Sequence, residues 1–341
     1  MKKIPVEQAV GLSLCHDITA IREGFKGAAF RRGHVIQPED VEALKNIGKQ
    51  HVYIWEENAG EIHEEDAALR LSRLAAVEHG TFSGPSEGKM VLTADVPGLF
   101  RVNTDLLRAI NSIGDITIST VPDHYPVQAG GRLASMRIVP LVTKEANILE
   151  AERLCAQSPV PLLRLLPWRT GLRAGIIITG SELYSGRIQD KFEPVARKKL
   201  EAYGVEILSC VICNDDVEML TGAIADLQAQ DVDLIVLSGG MSVDPDDVTP
   251  TAVRRAGARI VTHGVPSQPG NMLLVAYLGK SVVFGVPGAA VSLPVTTFDV
   301  FLPQAVAGPE ITKADVVSLG DGGFCQGCKI CHWPNCTFGR Y

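Results

Sequence analysis

The chain has no apolar run long enough to cross a membrane. Its most apolar stretch, residues 272–295, is broken by Gly279-Lys280 and by Pro287 and Pro294, whereas a spanning helix needs about 20 consecutive apolar residues. The start, Met1-Lys2-Lys3-Ile4-Pro5-Val6-Glu7, carries two lysines but no apolar signal core behind them. These absences predict a cytoplasmic protein with no membrane partner. The chain also lacks a basic stripe. Its 32 Lys and Arg are scattered among 39 Asp and Glu, for a net charge of −7, which argues against a nucleic-acid partner. Neither a Walker A sequence nor G-x-G-x-x-G is present, so the common nucleotide cradles are not indicated. No internal repeat is visible. There is no cysteine framework of the secreted type either: Cys15, Cys155, Cys210 and Cys213 are scattered.

What remains is an ordinary globular composition, 46% hydrophobic and 21% charged, in 341 residues, enough for two or three domains. The first 60 residues predict a small mixed unit. Pro38-Glu39-Asp40 opens a helix that places Val41, Leu44 and Ile47 on one face before Gly48, and His51-Val52-Tyr53-Ile54-Trp55 follows as a strand. Residues 61–168 predict an α+β region with a helix over 61–76 and strands near 89–92, 116–120 and 137–141. Asn103 or Thr104 caps a further helix there, closed by Gly114. The proline-rich run that starts at Ser158 and ends at Pro167 marks a boundary.

Beyond that boundary, residues 169–310 change to strand–loop–helix alternation. Strands are expected at 174–178, 205–210, 233–237 and 281–284, and helices at 193–203, 217–227 and 291–301. This pattern predicts an α/β domain, a mostly parallel sheet with helices on both faces. In such a sheet ligands bind beyond the carboxyl ends of the strands. Three glycine-marked loops fall there: Thr179-Gly180-Ser181-Glu182, Ser238-Gly239-Gly240-Met241-Ser242 and Gly285-Val286-Pro287-Gly288. Glycine lets backbone N–H groups approach a ligand, the following helix N-termini favour anions, and the serines add hydroxyl donors. An anion-binding cleft is the expectation. Carboxylates fall at the same edge: Glu182, Asp215-Asp216, Asp244, Asp246 and Asp247. Beside an anion they would repel it unless a hard cation such as Mg²⁺ bridges the two, and Glu182 and Asp247 are the leading candidates for that cation.

Thr179-Gly180-Ser181-Glu182-Leu183, Asp215-Asp216 and Ser238-Gly239-Gly240-Met241-Ser242-Val243 through Asp246-Asp247, followed by Pro269-Gly270 and Val286-Pro287-Gly288, resemble the motif series of the molybdopterin-binding domain. That family takes part in molybdenum-cofactor synthesis and includes molybdopterin adenylyltransferases, molybdotransferases and competence-related proteins. The resemblance implies a phosphorylated pterin ligand, molybdopterin or its adenylated or metallated form. It is held by Thr179, Gly180, Ser181, Ser238, Gly239, Gly240, Ser242, Pro269, Gly270, Pro287 and Gly288. Glu182, Asp216 and Asp247 would bind Mg²⁺ or handle an adenylated intermediate during molybdenum insertion. It further implies a homo-oligomer, with molybdoenzymes or other cofactor-synthesis proteins as partners. The chain departs from molybdotransferases around the proline–glycine pair. Gln268 and Asn271 stand where lysines are usual, and Ala289-Ala290 replace an asparagine and proline. A non-catalytic cofactor carrier or a redox or metal sensor is therefore the second expectation, and a nucleotide pyrophosphatase of the competence-related branch the third.

The last stretch, 311–341, holds Cys325, Cys328, Cys331 and Cys336 in C-x₂-C-x₂-C-x₄-C spacing within glycine-rich sequence. Four thiolates so close suit one tetrahedral Zn²⁺ or one iron–sulfur cluster. The successive two-residue gaps resemble the ferredoxin run in part, although the last gap is one residue too long. The loop sequence before them does not promise enough apolar burial to order the tail alone, and thiolate coordination could supply that order. Cys210-x₂-Cys213 shares the spacing, but Cys210 ends a buried strand and is expected in the core.

Overall fold

A computed structural model describes residues 1–22, 24–54, 58–242 and 247–340. Trp55 of the expected strand, and Val243, Asp244 and Asp246 of the expected acidic loop, lie outside the described residues. Two compact units emerge. The first combines 1–93, 103–121 and 132–163, and the second combines 94–102, 122–131 and 164–341.

In the first unit, Lys2–Pro5 pairs antiparallel with His51–Ile54, and Ile4, Val6, Leu44 and Val52 share a small core. The helix Asp40–Asn46 and its closing glycine, Gly48 at φ 83, follow the sequence expectation. A four-stranded sheet runs in the order Gly80–Ser86, Lys89–Ala94, Arg132–Ile138, Ile116–Thr120. The expected strand at 137–141 thus begins five residues earlier, because Leu133, Ala134, Met136 and Ile138 all turn into the core. The helix expected over 61–76 yields its first residues to a strand, Glu61–His63, which pairs with Val142–Lys144. His63 then caps the helix Glu64–Leu74. Asn103 caps Thr104–Asn111 by accepting from Leu106 N.

The second unit is built on a six-stranded sheet. Its strands are β1 (Arg173–Thr179), β2 (Glu206–Cys213), β3 (Leu234–Ser238), β4 (Arg259–His263), β5 (Leu274–Leu278) and β6 (Ser281–Val286). Their spatial order is β2-β1-β3-β6-β5-β4. The first four run parallel, while β5 and β4 add an antiparallel edge. Alternate residues feed two cores. Ile176, Ile178 and Val236 meet helices Phe192–Glu201 and Thr297–Ala307 on one face. Ile177, Ile235 and Leu237 meet Val217–Ala229 and Thr249–Arg255 on the other. Burial on both faces explains why these strands read as continuous apolar runs.

Two expectations need correction here. The helix expected over 291–301 is two helices, Ala289–Ser292 and Thr297–Ala307. Pro294 falls between them, and Thr296 starts the second with a capping box to Asp299. Cys210 is only half-buried, because β2 is an edge strand, and the fully buried thiol is Cys213.

The same unit takes in Gly98–Val102 and Tyr125–Val127, which pair antiparallel. His124 lies beside them, buried, with Nδ1 3.0 Å from Asp123 and Nε2 3.5 Å from Asp315. Burial pushes both carboxyls up. The His124 contacts, with Arg101 at Asp123 and the Thr312 cap at Asp315, outweigh it and hold both well below the usual carboxylate range. Depressed folded values contribute stability that is fully present above about pH 4 and lost as pH falls through them. Melting curves between pH 6 and 3 should therefore show this unit weakening below about pH 4. His124→Gln should already lower its melting temperature at pH 6, and an unchanged acid profile in that variant would count against the arrangement.

Beyond residue 318 the chain packs back onto the second unit. Leu319 and Phe338 sit in the main core, with Trp333 packed against it. Gln268 N donates to Gly323 O at 2.7 Å and Cys325 N to Gln268 O at 2.8 Å. At the far end Arg340 lies over the Tyr125 ring at 4.8 Å.

Candidate functional site: a cleft at the sheet switch point

Strand order reverses between β1 and β3. The chain leaves β1 for β2 on one side and crosses to β3 on the other. In open α/β sheets the crevice beyond such a point is where ligands bind. A cleft of about 840 Å³ opens there. The loops after β1, β3 and β6 all reach it, bringing Thr179, Ser238, Gly239, Gly240, Ser242, Pro287 and Gly288 together with Glu182 and Asp247.

Glycine is required where two of these loops touch. Gly239 has φ +96, and a Cβ there would lie 2.1 Å from Thr179 O. Gly240 has φ +56, and its Cβ would lie 2.8 Å from Thr249 Oγ1. Thr249 Oγ1 in turn donates to Gly239 O at 2.9 Å, so the turn is pinned from behind. The first loop is pinned by Asp215, which accepts from Thr179 Oγ1 and Ser181 N, both at 2.7 Å.

Several expected site residues stand elsewhere or do other work. Asp216 accepts from Met219 N at 2.8 Å and caps the helix Val217–Ala229. Pro269 and Gly270 do not line this cleft but a second one, with Gln268 and Asn271, and Met272 after them lines the first. Helix N-termini contribute less than the sequence suggests. The helices that directly follow the β1 and β6 loops are the four-residue turns Ser181–Tyr184 and Ala289–Ser292, and macrodipole effects scale with aligned turns.

The structure adds residues the sequence did not single out. The segment before helix Phe192–Glu201 brings Gln189, Asp190 and Lys191 to the cleft, and Met272 and Val291 supply apolar wall. Asp190 accepts from Phe192 N at 3.0 Å and Glu193 N at 2.7 Å. An aspartate two residues before a helix start was the available signal. Among the described lining residues Lys191 is the basic one, beside the acidic Glu182, Asp190 and Asp247 in the same lining. The cleft thus brings loop backbone and serine hydroxyls together with the carboxyls of Glu182, Asp190 and Asp247.

Residues 175–307 match the family described as "Probable molybdopterin binding domain". Over these residues the chain is similar to that family. Residues 3–56 match a second family, described only as a domain of unknown function. Similarity to curated proteins is local. A CinA-like protein of Mycobacterium sp. (strain JLS) is 42% identical over 83 residues, 24% of this chain and 20% of that protein. One of Mycobacterium marinum is 42% identical over 86 residues with the same coverage. The chain therefore matches about a fifth of the length of these curated relatives. Among solved structures, the molybdopterin biosynthesis enzyme MoaB of Thermus thermophilus is similar at 18% identity and TM-score 0.31, over 39% of this chain and 90% of that one. A CinA protein of unknown function from Thermoplasma acidophilum is similar at 16% identity and TM-score 0.33, over 39% and 98%.

The four tail cysteines line the second cleft, of about 450 Å³, with His332 and the 268–271 turn. Among the described residues no three His, Cys, Asp or Glu side chains are gathered closely enough to hold a metal ion. The other C-x₂-C pair is poorly suited to metal. Burial first, and Glu193 second, push the Cys210 thiol up to about 12, and burial raises Cys213 as well. Among the described residues no helix is long and apolar enough to cross a membrane.

Proposed function

We propose that the molybdopterin-binding domain holds molybdopterin, or its adenylated or metal-bearing form, in the switch-point cleft during molybdenum-cofactor biosynthesis. One observation carries this reading: the loops after β1, β3 and β6 converge on a single cleft, where Gly239 and Gly240 have no room for a side chain. Backbone N–H groups and Ser238 and Ser242 take the phosphate or pterin oxygens. Glu182 and Asp247 hold Mg²⁺ against the phosphate, and Asp216 acts through the helix it caps. The domain then assists molybdenum insertion by positioning and charge neutralisation. The cysteine tail binds Zn²⁺ or an iron–sulfur cluster. The working form is a cytoplasmic homo-oligomer that passes cofactor to molybdoenzymes or to other synthesis proteins.

The second reading is a non-catalytic carrier or a redox or metal sensor. It is favoured by the scarcity of cations around the ligand, with Lys191 the basic residue of the lining. Anaerobic purification followed by mass spectrometry of released small molecules and metals tests the proposal. A pterin phosphate should co-purify, and a nucleotide alone would redirect the site to the pyrophosphatase expectation.

A further inference from the structure

The peptide groups that link Gly239 to Ser242 are each held by their carbonyl oxygen. Gly239 O accepts from Thr249 Oγ1 at 2.9 Å and Gly240 O from Thr249 N at 3.3 Å. Met241 O accepts from His263 Nε2 at 3.2 Å, and because a carbonyl can only accept, that nitrogen carries a hydrogen. These peptides are trans, and in a trans peptide the N–H points opposite to the C=O. The N–H groups of Gly240, Met241 and Ser242 therefore point away from the groups that hold the carbonyls. Thr249 and His263 do not line the cleft, whereas Gly240, Met241 and Ser242 do. Among the described residues none of these N–H groups meets an acceptor. Successive N–H groups presented in this way form a concavity that suits an anion.

Thr249 holds the first two of these peptides from the start of the helix Thr249–Arg255. The third is held by His263, which comes from the far edge of the sheet. β4 is antiparallel to β5 and β5 to β6, so β4 runs the same way as β3. His263, the last residue of β4, thus falls at the carboxyl edge where the cleft lies. Met241 reaches towards it over β6, where Gly285 leaves the room: a Cβ there would lie 2.6 Å from Met241 Sδ.

We propose that His263 is a positioning residue for the anion-facing edge of the cleft, turning the 241–242 peptide so that Ser242 N–H meets a ligand phosphate. This rests on the reading above that the Ser238–Ser242 loop takes phosphate oxygens, and it assigns the setting of that loop to a residue outside the cleft. The imidazole acts through its N–H donor. It neither touches the ligand nor needs a charge.

Inorganic phosphate, with Mg²⁺ present, is the probe, read through the backbone amide signals of isotope-labelled full-length protein. Phosphate should shift the signals of Gly240, Met241 and Ser242 saturably in the wild type. His263→Leu removes the donor. It should displace the Ser242 signal before any phosphate is added and weaken phosphate binding roughly threefold to tenfold. His263→Gln keeps a neutral side-chain N–H and should restore most of the affinity. Both variants should melt close to the wild type, because His263 is exposed. Equal affinity in the wild type and His263→Leu would overturn the inference and leave the phosphate reading of the loop standing. Weakening that His263→Gln does not restore would overturn it too, since the bulk of the ring and not its N–H would then be at work. Wild-type signals that ignore phosphate would overturn the reading of the loop and the inference with it.

Discussion

Replacing Gly239 by alanine should lower the stability of the second unit by about 3 kcal/mol and abolish pterin binding. Two independent effects combine. The residue sits at φ +96, where an L side chain is strained, and its Cβ would lie 2.1 Å from Thr179 O, a backbone atom at the end of a central strand. The clash cannot be relieved by rotating a side chain, so the Ser238–Ser242 loop would have to leave β1. Thr249, donating to Gly239 O, would then be displaced too. A melting curve and a binding titration on the same preparation check this. A variant that melts like the wild type would show that the two loops do not approach as described.

The pair Glu182→Ala and Asp247→Ala should remove whatever Mg²⁺ requirement pterin binding shows. Losing a charged ligand contributes roughly tenfold to a hundredfold per group, so the double variant should lose a hundredfold or more in the presence of Mg²⁺. The fold should survive, because Glu182 is exposed and Asp247 is half-buried at the cleft wall. Asp216→Ala separates cleft chemistry from helix capping. Its carboxylate is already engaged with Met219 N, so about 1 kcal/mol of stability should be lost with the Mg²⁺ dependence intact. Wild-type binding that is indifferent to chelator would return Glu182 and Asp247 to ordinary turn roles.

The loops of the switch-point cleft were legible because each combines an apolar strand with an abrupt glycine–serine or glycine–proline step, a local pattern. Asn103 and Gly48 were legible for the same reason, as caps. What escaped depends on distant partners. Gly98–Val102 and Tyr125–Val127 join the second unit from within the middle of the chain, and nothing in five or three residues reveals that. Pro269-Gly270 lies in the turn before β5, within the antiparallel edge, and lines another cleft than the motifs it resembles in series. Lys191 lies in a polar loop like many others, and only its place before Phe192–Glu201 brings it to the cleft. In the tail Leu319 and Phe338 join the main core, and nothing in the residues beside them announces those distant partners.

Calorimetric titration with molybdopterin, comparing wild type with Gly240→Asp, tests the central claim most directly. Aspartate tolerates the left-handed backbone at this position better than most residues, yet it adds bulk and a negative charge to the Ser238–Ser242 turn, with its Cβ 2.8 Å from Thr249 Oγ1. The account predicts saturable binding at one site per chain in the wild type, and affinity at least roughly tenfold weaker in the variant. Equal affinity in the two proteins, or no heat of binding in the wild type, would contradict it.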